Sequence, residues 1–272
     1  MTGVQFVRYT LSCPHGTYDQ AVGELVDLPA RGWQEYSEGT LVFWLQAGQE
    51  EEPATAATLY RLAALGTLAA ARDDEAWLQS WRRFHSAVRV GAVAVRPPWL
   101  SPQPGALDVM VDIGMAFGTG SHHTTRQCLA ALQEVPLGSL LDLGTGSAVL
   151  ALAALRLGFS PVYACDNDEV ALLAAGENAR LNGLWPRFFS ADVTDRAVPL
   201  PATDVLVANI AVRAIVVLGE RISSGDVSAP RQAILAGLLE TQAEQARAAF
   251  AGYRLADRQH AGEWVMLRLE RE

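Results

Sequence analysis

The sequence predicts an α/β fold: a Rossmann-like nucleotide-binding sheet in its later part, preceded by a small α+β domain of ferredoxin-like type. Three observations carry this. Ser139 to Asp166 (SLLDLGTGSAVLALAALRLGFSPVYACD) reads as a buried strand, a glycine turn, a helix and a second strand ending on an acid, which is half of a nucleotide-binding βαβ unit. The stretch before residue 74 has the order βαββαβ. Half of the 272 residues are hydrophobic and 19% charged, a globular composition with core enough for one large domain or two smaller ones.

Taking the elements in order, Val4 to Leu11 alternates as a strand does, and Tyr18 to Leu28 has helical spacing. Trp33 to Tyr36 and Thr40 to Leu45 form a hairpin about Ser37-Glu38-Gly39. After the acidic QEEEP loop come an alanine-rich helix, Ala54 to Leu65, and a short strand, Thr67 to Ala71. This first domain, residues 1–73, carries no catalytic constellation, so it is read either as a stability or oligomer module or as a substrate-holding one. Asp73 and Asp74 cap a helix from Glu75 to Phe84 whose Trp77, Leu78, Trp81 and Phe84 fall on one face and serve packing. Pro97 and Pro98 close this connection, giving a linker at 74–104 and a second domain at 105–272.

A strand from Leu107 to Ile113 leads into Gly114 and Phe117-Gly118-Thr119-Gly120, then a helix beginning near His123-Thr124-Thr125. No Lys-Ser or Lys-Thr follows these glycines, so the phosphate-loop pattern fails. Thr124 and Thr125 are candidate helix caps. His122 and His123 are adjacent and point apart on a helix, which favours bystander roles over zinc, and no metal is expected.

In the glycine turn, Gly144 and Gly146 flank Thr145 and open the approach to main-chain amides. Asp166, at the end of the next strand, points into the same crevice, where a carboxylate accepts from both hydroxyls of a ribose. The sixth place of a dinucleotide fingerprint is Val149 and not glycine, so NAD fits poorly and a nucleoside without phosphate fits better. A helix runs from Asp168 to Asn182-Gly183, followed by a strand at Arg187 to Phe189 and then Asp192, read either as an acceptor for an adenine amino group or as a solvated loop acid. Asp204 to Ala208 is a buried strand ending in Asn209-Ile210. Ala233 to Leu235 is a strand, Leu239 to Phe250 a helix, and two last strands turn at Ala261-Gly262.

The D-L-G-T-G pattern with its downstream acid resembles the first motif of the class I S-adenosylmethionine-dependent methyltransferases. GMAFGTGSHHTT, LLDLGTGS, CDND, DVLVANI and EWVMLRL, with EAWLQSWRRF and PPW upstream, together resemble the ribosomal protein L11 methyltransferase family over most of residues 75–272. The resemblance implies a ferredoxin-like domain, a linker helix and a seven-stranded mixed class I methyltransferase sheet whose antiparallel edge is the final hairpin. It implies S-adenosylmethionine as cofactor, held by Thr125, Gly144, Asp166 and Asn209. Asp142, Gly144 and Gly146 lie at the methionine end, with Phe117, Gly118 and Thr119 against it. Thr145, Asn167 and Asp192 complete the expected cofactor set, and Asn209 is expected also to position the substrate amine. The implied activity is methylation of ε-amino and α-amino groups of ribosomal protein L11. The alternatives are another protein or small amine, or a non-catalytic relative that binds the cofactor. Three places depart from the family pattern: Ala148 follows Gly146-Ser147 where G-S-G is common, Asn167 replaces a small or apolar residue, and SSGDVSAPRQ replaces a Gly-Gly turn.

A net charge of −9 disfavours an extensive nucleic-acid footprint and suits a basic partner such as a ribosomal protein. The three cysteines, Cys13, Cys128 and Cys165, are too few and scattered for a disulfide framework or a thiolate metal site. No apolar run approaches the ~20 residues of a membrane span, and MTGVQFVRYTLSC lacks the pattern of a secretory signal. The expectation is a cytoplasmic monomer.

Overall fold

Alternation in the first strand sets the first unit. Val7, Tyr9 and Leu11 turn to one side, and the strand that pairs with theirs supplies Leu41, Phe43 and Leu45 to the same core. The structure, a computed structural model, describes residues 6–14, 16–25, 28–30, 33–37, 39–73, 86–112 and 122–272. The chain divides into two compact units, residues 1–85 and 86–272. In the first, β1 (Phe6–Ser12), α1 (Tyr18–Leu25), β2 (Trp33–Ser37), β3 (Thr40–Gln46), α2 (Pro53–Leu65) and β4 (Thr67–Asp73) follow in the order βαββαβ. Their antiparallel sheet runs β2-β3-β1-β4, the ferredoxin-like arrangement. Strand β4 continues past the expected Ala71 because it pairs with β1 as far as Phe6 opposite Asp73. The expected helix Glu75 to Phe84 lies outside the described residues.

The second unit opens with β5 (Val88–Val90), β6 (Val93–Arg96) and β7 (Leu107–Met110), a three-stranded sheet in a region where the sequence reading placed no strand before Leu107. Val93, Val95, Val109 and Val111 bury one face of it in the main core. There follow α3 (His123–Leu132), β8 (Leu140–Leu143), α4 (Val149–Leu157), β9 (Val162–Asp166), α5 (Glu169–Asn182) and β10 (Arg187–Ser190). The chain then returns to the middle with β11 (Val205–Asn209), α6 (Val212–Ser223), β12 (Gln232–Leu239), α7 (Glu240–Ala249), β13 (Tyr253–Ala261) and β14 (Trp264–Arg271).

The seven strands lie in the order β10-β9-β8-β11-β12-β14-β13. The first five and β13 run parallel, and β14, set between β12 and β13, is antiparallel to both, as the class I methyltransferase sheet requires. Alternation divides each strand between two helical layers. Leu140, Val205 and Val207 face α3, α4 and α5, while Leu141, Leu143, Leu206 and Ala208 face α6 and α7. The chain leaves β8 outward to β9 and β10, then crosses back to β11 on the other flank. A crevice therefore opens at the carboxyl ends of β8 and β11, the topological switch point where α/β sheets take ligands.

Two helical glycines separate propensity from packing. A side chain built at Gly176 in α5 meets nothing within 4 Å, whereas one at Gly219 in α6 falls 2.7 Å from the Ala249 carbonyl oxygen of α7. Gly176→Ala should stabilise by about 0.5 to 1 kcal/mol through helix propensity. Gly219→Ala should destabilise by about 1 to 3 kcal/mol, because overpacking exceeds that gain. Urea midpoints of the two variants moving in the same direction would refute this assignment of the α6/α7 contact.

Candidate functional site

The turn after β8 is held by the end of β9. Gly144 N–H and Thr145 N–H both donate to the Cys165 carbonyl at 2.9 Å, and Gly146 N–H donates to Asp166 Oδ2 at 2.9 Å. The other oxygen, Oδ1, accepts from Asp168 N–H at 3.1 Å. An ionised carboxylate offers about four lone-pair sites, so Asp166 retains acceptor capacity after these two bonds. It lines a crevice of about 410 Å³ together with Gly144, Asn167, Asp192, Ile210 and Arg213, a size in the range of small-molecule pockets.

Gly144 is required by both backbone and packing. Its φ is +69°, and a Cβ there would stand 2.2 Å from Ile210 Cγ2, so the side chain after β11 fills the space that the missing methyl leaves. Ala148, at the start of α4, also has a positive φ, +63°, and is fully buried. The methyl that departs from the family pattern is thus accommodated in the core at the expense of a left-handed backbone, on the order of 1 kcal/mol.

Asp142, 1% exposed, sits beneath the turn. Its Oδ2 accepts from the Thr145 hydroxyl at 2.7 Å and from Ala151 N–H at 3.1 Å, while Oδ1 is buried with no partner among the described residues. Burial pushes its carboxyl up to about 7; the Thr145 and Ala151 bonds oppose this, and the nearby Asp166 carboxylate adds to it. One amide of the first turn of α4, that of Ala151, is taken by Asp142, and the crevice wall offers the carboxylates of Asp166 and Asp192 against the single guanidinium of Arg213. That set suits a cationic nucleoside better than a pyrophosphate.

The other expected site residues fall in several places. Asn167 and Asp192 line the crevice. The Asp192 carboxylate accepts from the Thr194 hydroxyl at 2.7 Å and the Thr194 N–H at 2.8 Å, and these bonds hold it below the usual carboxylate range. Thr145 faces Asp142, and Thr125 is buried in the first turn of α3; neither lines the crevice. Phe117, Gly118 and Thr119 lie outside the described residues. Asn209 ends β11 beside a bulge in β12: Leu235 pairs with Leu267 but Leu238 with Val265, one residue extra on β12. At this bulge Gly237 has φ +79°, and a Cβ on it would stand 2.9 Å from the Ile210 carbonyl oxygen and 3.2 Å from Asn209 Oδ1.

One expectation is corrected. The cap of α3 is His122, whose Nδ1 accepts from Thr124 N–H at 3.4 Å; Thr124 and Thr125 are buried first-turn residues. His122 is thus a cap outside the helix, packed edge-on against Trp264 with ring centroids 5.3 Å apart. Sequence reading also missed Ile210 and Arg213 as crevice residues. The only signal for Ile210 was its apolar character directly after a strand-terminal asparagine.

Residues 44–272 match the family model described as ribosomal protein L11 methyltransferase (PrmA). The chain is 39% identical over 204 residues to the ribosomal protein L11 methyltransferase of Desulforapulum autotrophicum, covering 72% of this chain and 67% of that one. To the Thermus thermophilus protein of the same name it is 38% identical over 198 residues, covering 71% and 77%. Among solved structures, a ribosomal protein L11 methylase from Lactobacillus delbrueckii subsp. bulgaricus aligns with a TM-score of 0.61 at 27% identity, over 70% of this chain and 99% of that one. A Pyrococcus abyssi tRNA (uracil-54, C5)-methyltransferase shares the fold, with a TM-score of 0.50 at 15% identity over 68% and 44%.

The buried Asp142 carboxyl yields a pH prediction. Its folded pKa lies above its unfolded value, so the stability it contributes is complete below about pH 4 and is lost as the pH rises through about 7, by on the order of a few kcal/mol. Asp142→Asn should therefore exceed the parent's urea midpoint by a clearly larger margin at pH 8 than at pH 5. A difference that stays constant with pH would mean that the group remains ionised throughout.

Proposed function

The chain belongs to the ribosomal protein L11 methyltransferase family, and from that premise we propose that it methylates ε-amino and α-amino groups of ribosomal protein L11, with S-adenosylmethionine held in the crevice between β8 and β11. The observation that carries this reading is the Asp166 carboxylate, fixed by Gly146 N–H and Asp168 N–H with acceptor capacity left toward the crevice. When bound, the cofactor supplies an electrophilic methyl group on a sulfonium. Asp166 would accept from its ribose hydroxyls, Asp192 and Asn167 would flank the adenine, and Gly146 would lie at the methionine end, with Gly144 giving its space to Ile210. Thr125 and the Phe117 to Thr119 segment are assigned to the same cofactor by family resemblance.

The residues that face the amine have a different task. A lysine side chain at pH 7 is neutral about once in ~2,500 molecules, a cost of roughly 4.6 kcal/mol, while an α-amine costs about 1 kcal/mol. A site that desolvates the ammonium lowers its pKa. Asn209, a neutral acceptor at the end of β11, and the adjoining Ile210 carbonyl orient the amine by hydrogen bonds without adding a negative charge that would keep it protonated. Alignment and desolvation carry the reaction, with no dedicated base.

The acidic net charge of −9 complements a basic ribosomal protein, and the ferredoxin-like unit is assigned to holding it. Among the described residues no helix is long and apolar enough to cross a membrane.

Transfer of labelled methyl groups to purified ribosomal protein L11 tests the reading. Asp166→Ala should weaken cofactor binding on the order of 10- to 100-fold, and Asp166→Asn, which keeps one acceptor oxygen, should fall between. Transfer to other ribosomal proteins but not to L11 would overturn the substrate; undiminished binding by Asp166→Ala would overturn the site. Gly237→Ala should lower the methylation rate constant roughly tenfold to a hundredfold by displacing Asn209 and Ile210, with a smaller loss of cofactor affinity because Ile210 also lines the crevice. Unchanged turnover in that variant would remove Asn209 from the amine site.

A further inference from the structure

Helix α5 carries two buried asparagines four residues apart, Asn178 and Asn182, which the sequence reading treated only as helix and cap. One edge of β7 pairs with β6. The other is met by these side chains. Asn182 Oδ1 accepts from Met110 N–H at 2.8 Å and its Nδ2 donates to the Met110 carbonyl at 2.6 Å. Two residues on, Asp112 N–H donates to Asn178 Oδ1 at 2.8 Å. The match is geometric: four helical residues rise about 6 Å and two strand residues about 6.7 Å, so the two amides stand where a neighbouring strand would present its peptide groups.

The asparagines differ in what their remaining donor does. Asn182 Nδ2 turns back to the Asn178 carbonyl within the helix, at 2.7 Å. Asn178 Nδ2 reaches out to the Ser147 carbonyl at 3.0 Å. Ser147 lies between Gly146, whose N–H holds Asp166, and Ala148, whose φ is +63°. One fully buried amide therefore ties the far side of the glycine turn to the end of β7, while β9 ties its near side.

We propose that Asn178 is a positioning residue of the methyltransferase site: by clamping Ser147 to Asp112 it fixes the glycine turn in the conformation that aims Gly146 N–H at Asp166 and so shapes the crevice. This rests on the reading of that crevice as the cofactor site. Asn182, on the same helix and strand but without a bond to the turn, serves stability alone.

Three variants of the full-length protein test it: Asn178→Ala, Asn178→Asp and Asn182→Ala, each followed by urea unfolding and by calorimetric titration with S-adenosylmethionine. Asn178→Ala and Asn182→Ala should both lower the unfolding midpoint. Only the Asn178 variants should weaken cofactor binding, by about tenfold, with Asn182→Ala within twofold of the parent. Asn178→Asp keeps an acceptor for Asp112 N–H and loses the donor to Ser147, so weak binding in this variant assigns the effect to the turn. Should Asn178→Ala not fold, Asn178→Asp carries the comparison with Asn182→Ala alone. Equal losses of affinity at both positions, or parental affinity in Asn178→Asp, would overturn the assignment. A parent protein that failed to bind the compound at all would instead overturn the reading of the crevice, and the proposal with it.

Discussion

The hydrogen bond from Gly146 N–H to the Asp166 carboxylate joins the ends of two adjacent parallel strands, and the crevice exists because of that joint. Parallel strands leave their carboxyl ends splayed, with loops free to take many courses. Here the loop after β8 is drawn onto the end of β9 by three bonds, two to the Cys165 carbonyl and one to the carboxylate. The same carboxylate that fixes the turn is the acceptor proposed for the ribose, so on that reading binding geometry and turn geometry would not vary independently. That economy makes Asp166 sensitive to everything that bears on Gly146, including a bond from a helix on the other side of the turn.

Packing at the opposite wall follows a comparable logic. Ile210 occupies the space over Gly144, and Gly237 lets the β12 backbone come against the Asn209–Ile210 turn. Each glycine there is read by a neighbour from another strand, so the floor of the crevice and the expected amine site share one short segment. A change of shape at Ile210 would be felt on both sides.

How much of this was legible follows from where each signal resides. The glycine turn, the acid at Asp166, the Asp168 and Gly183 helix ends and the final hairpin are local features of the chain, and the structure has them where periodicity and turn chemistry placed them. The βαββαβ order of the first unit was legible for the same reason. The hairpin of β5 and β6 was obscured because its short strands lie beside Pro97 and Pro98, which read as a connection. The bulge at Gly237 was missed because a glycine after three apolar residues looks like a strand end, and only pairing with β14 carries the strand on to Leu239. Asn178 and Asn182 could not be read at all, since their partners outside the helix are backbone groups distant in sequence, 66 and 72 residues earlier for Asp112 and Met110 and 31 for Ser147. The His122 cap was missed because histidine competes poorly with threonine as a capping residue in sequence terms.

Charge is distributed across the crevice in a way that the proposed chemistry requires. The acids stand on the flank of β9 and β10, at Asp166 and Asp192, whereas on the other side of β8 the segment after β11 lines the crevice with Ile210 and Arg213, and the strand itself ends in the neutral amide of Asn209. A carboxylate beside an approaching amine would favour its ammonium form and add to a protonation cost already near 4.6 kcal/mol for a lysine. A carboxylate beside the sugar of a sulfonium nucleoside does the reverse: it strengthens binding of a cation whose positive charge is the source of its reactivity. Once the methyl group has left, the nucleoside is a neutral thioether and that attraction is gone, so in the proposed reading the acids on the β9 flank would favour the reactant over the product. On the proposed function, separating the two kinds of acceptor by the width of one strand would let one site hold a cation and keep its nucleophile uncharged.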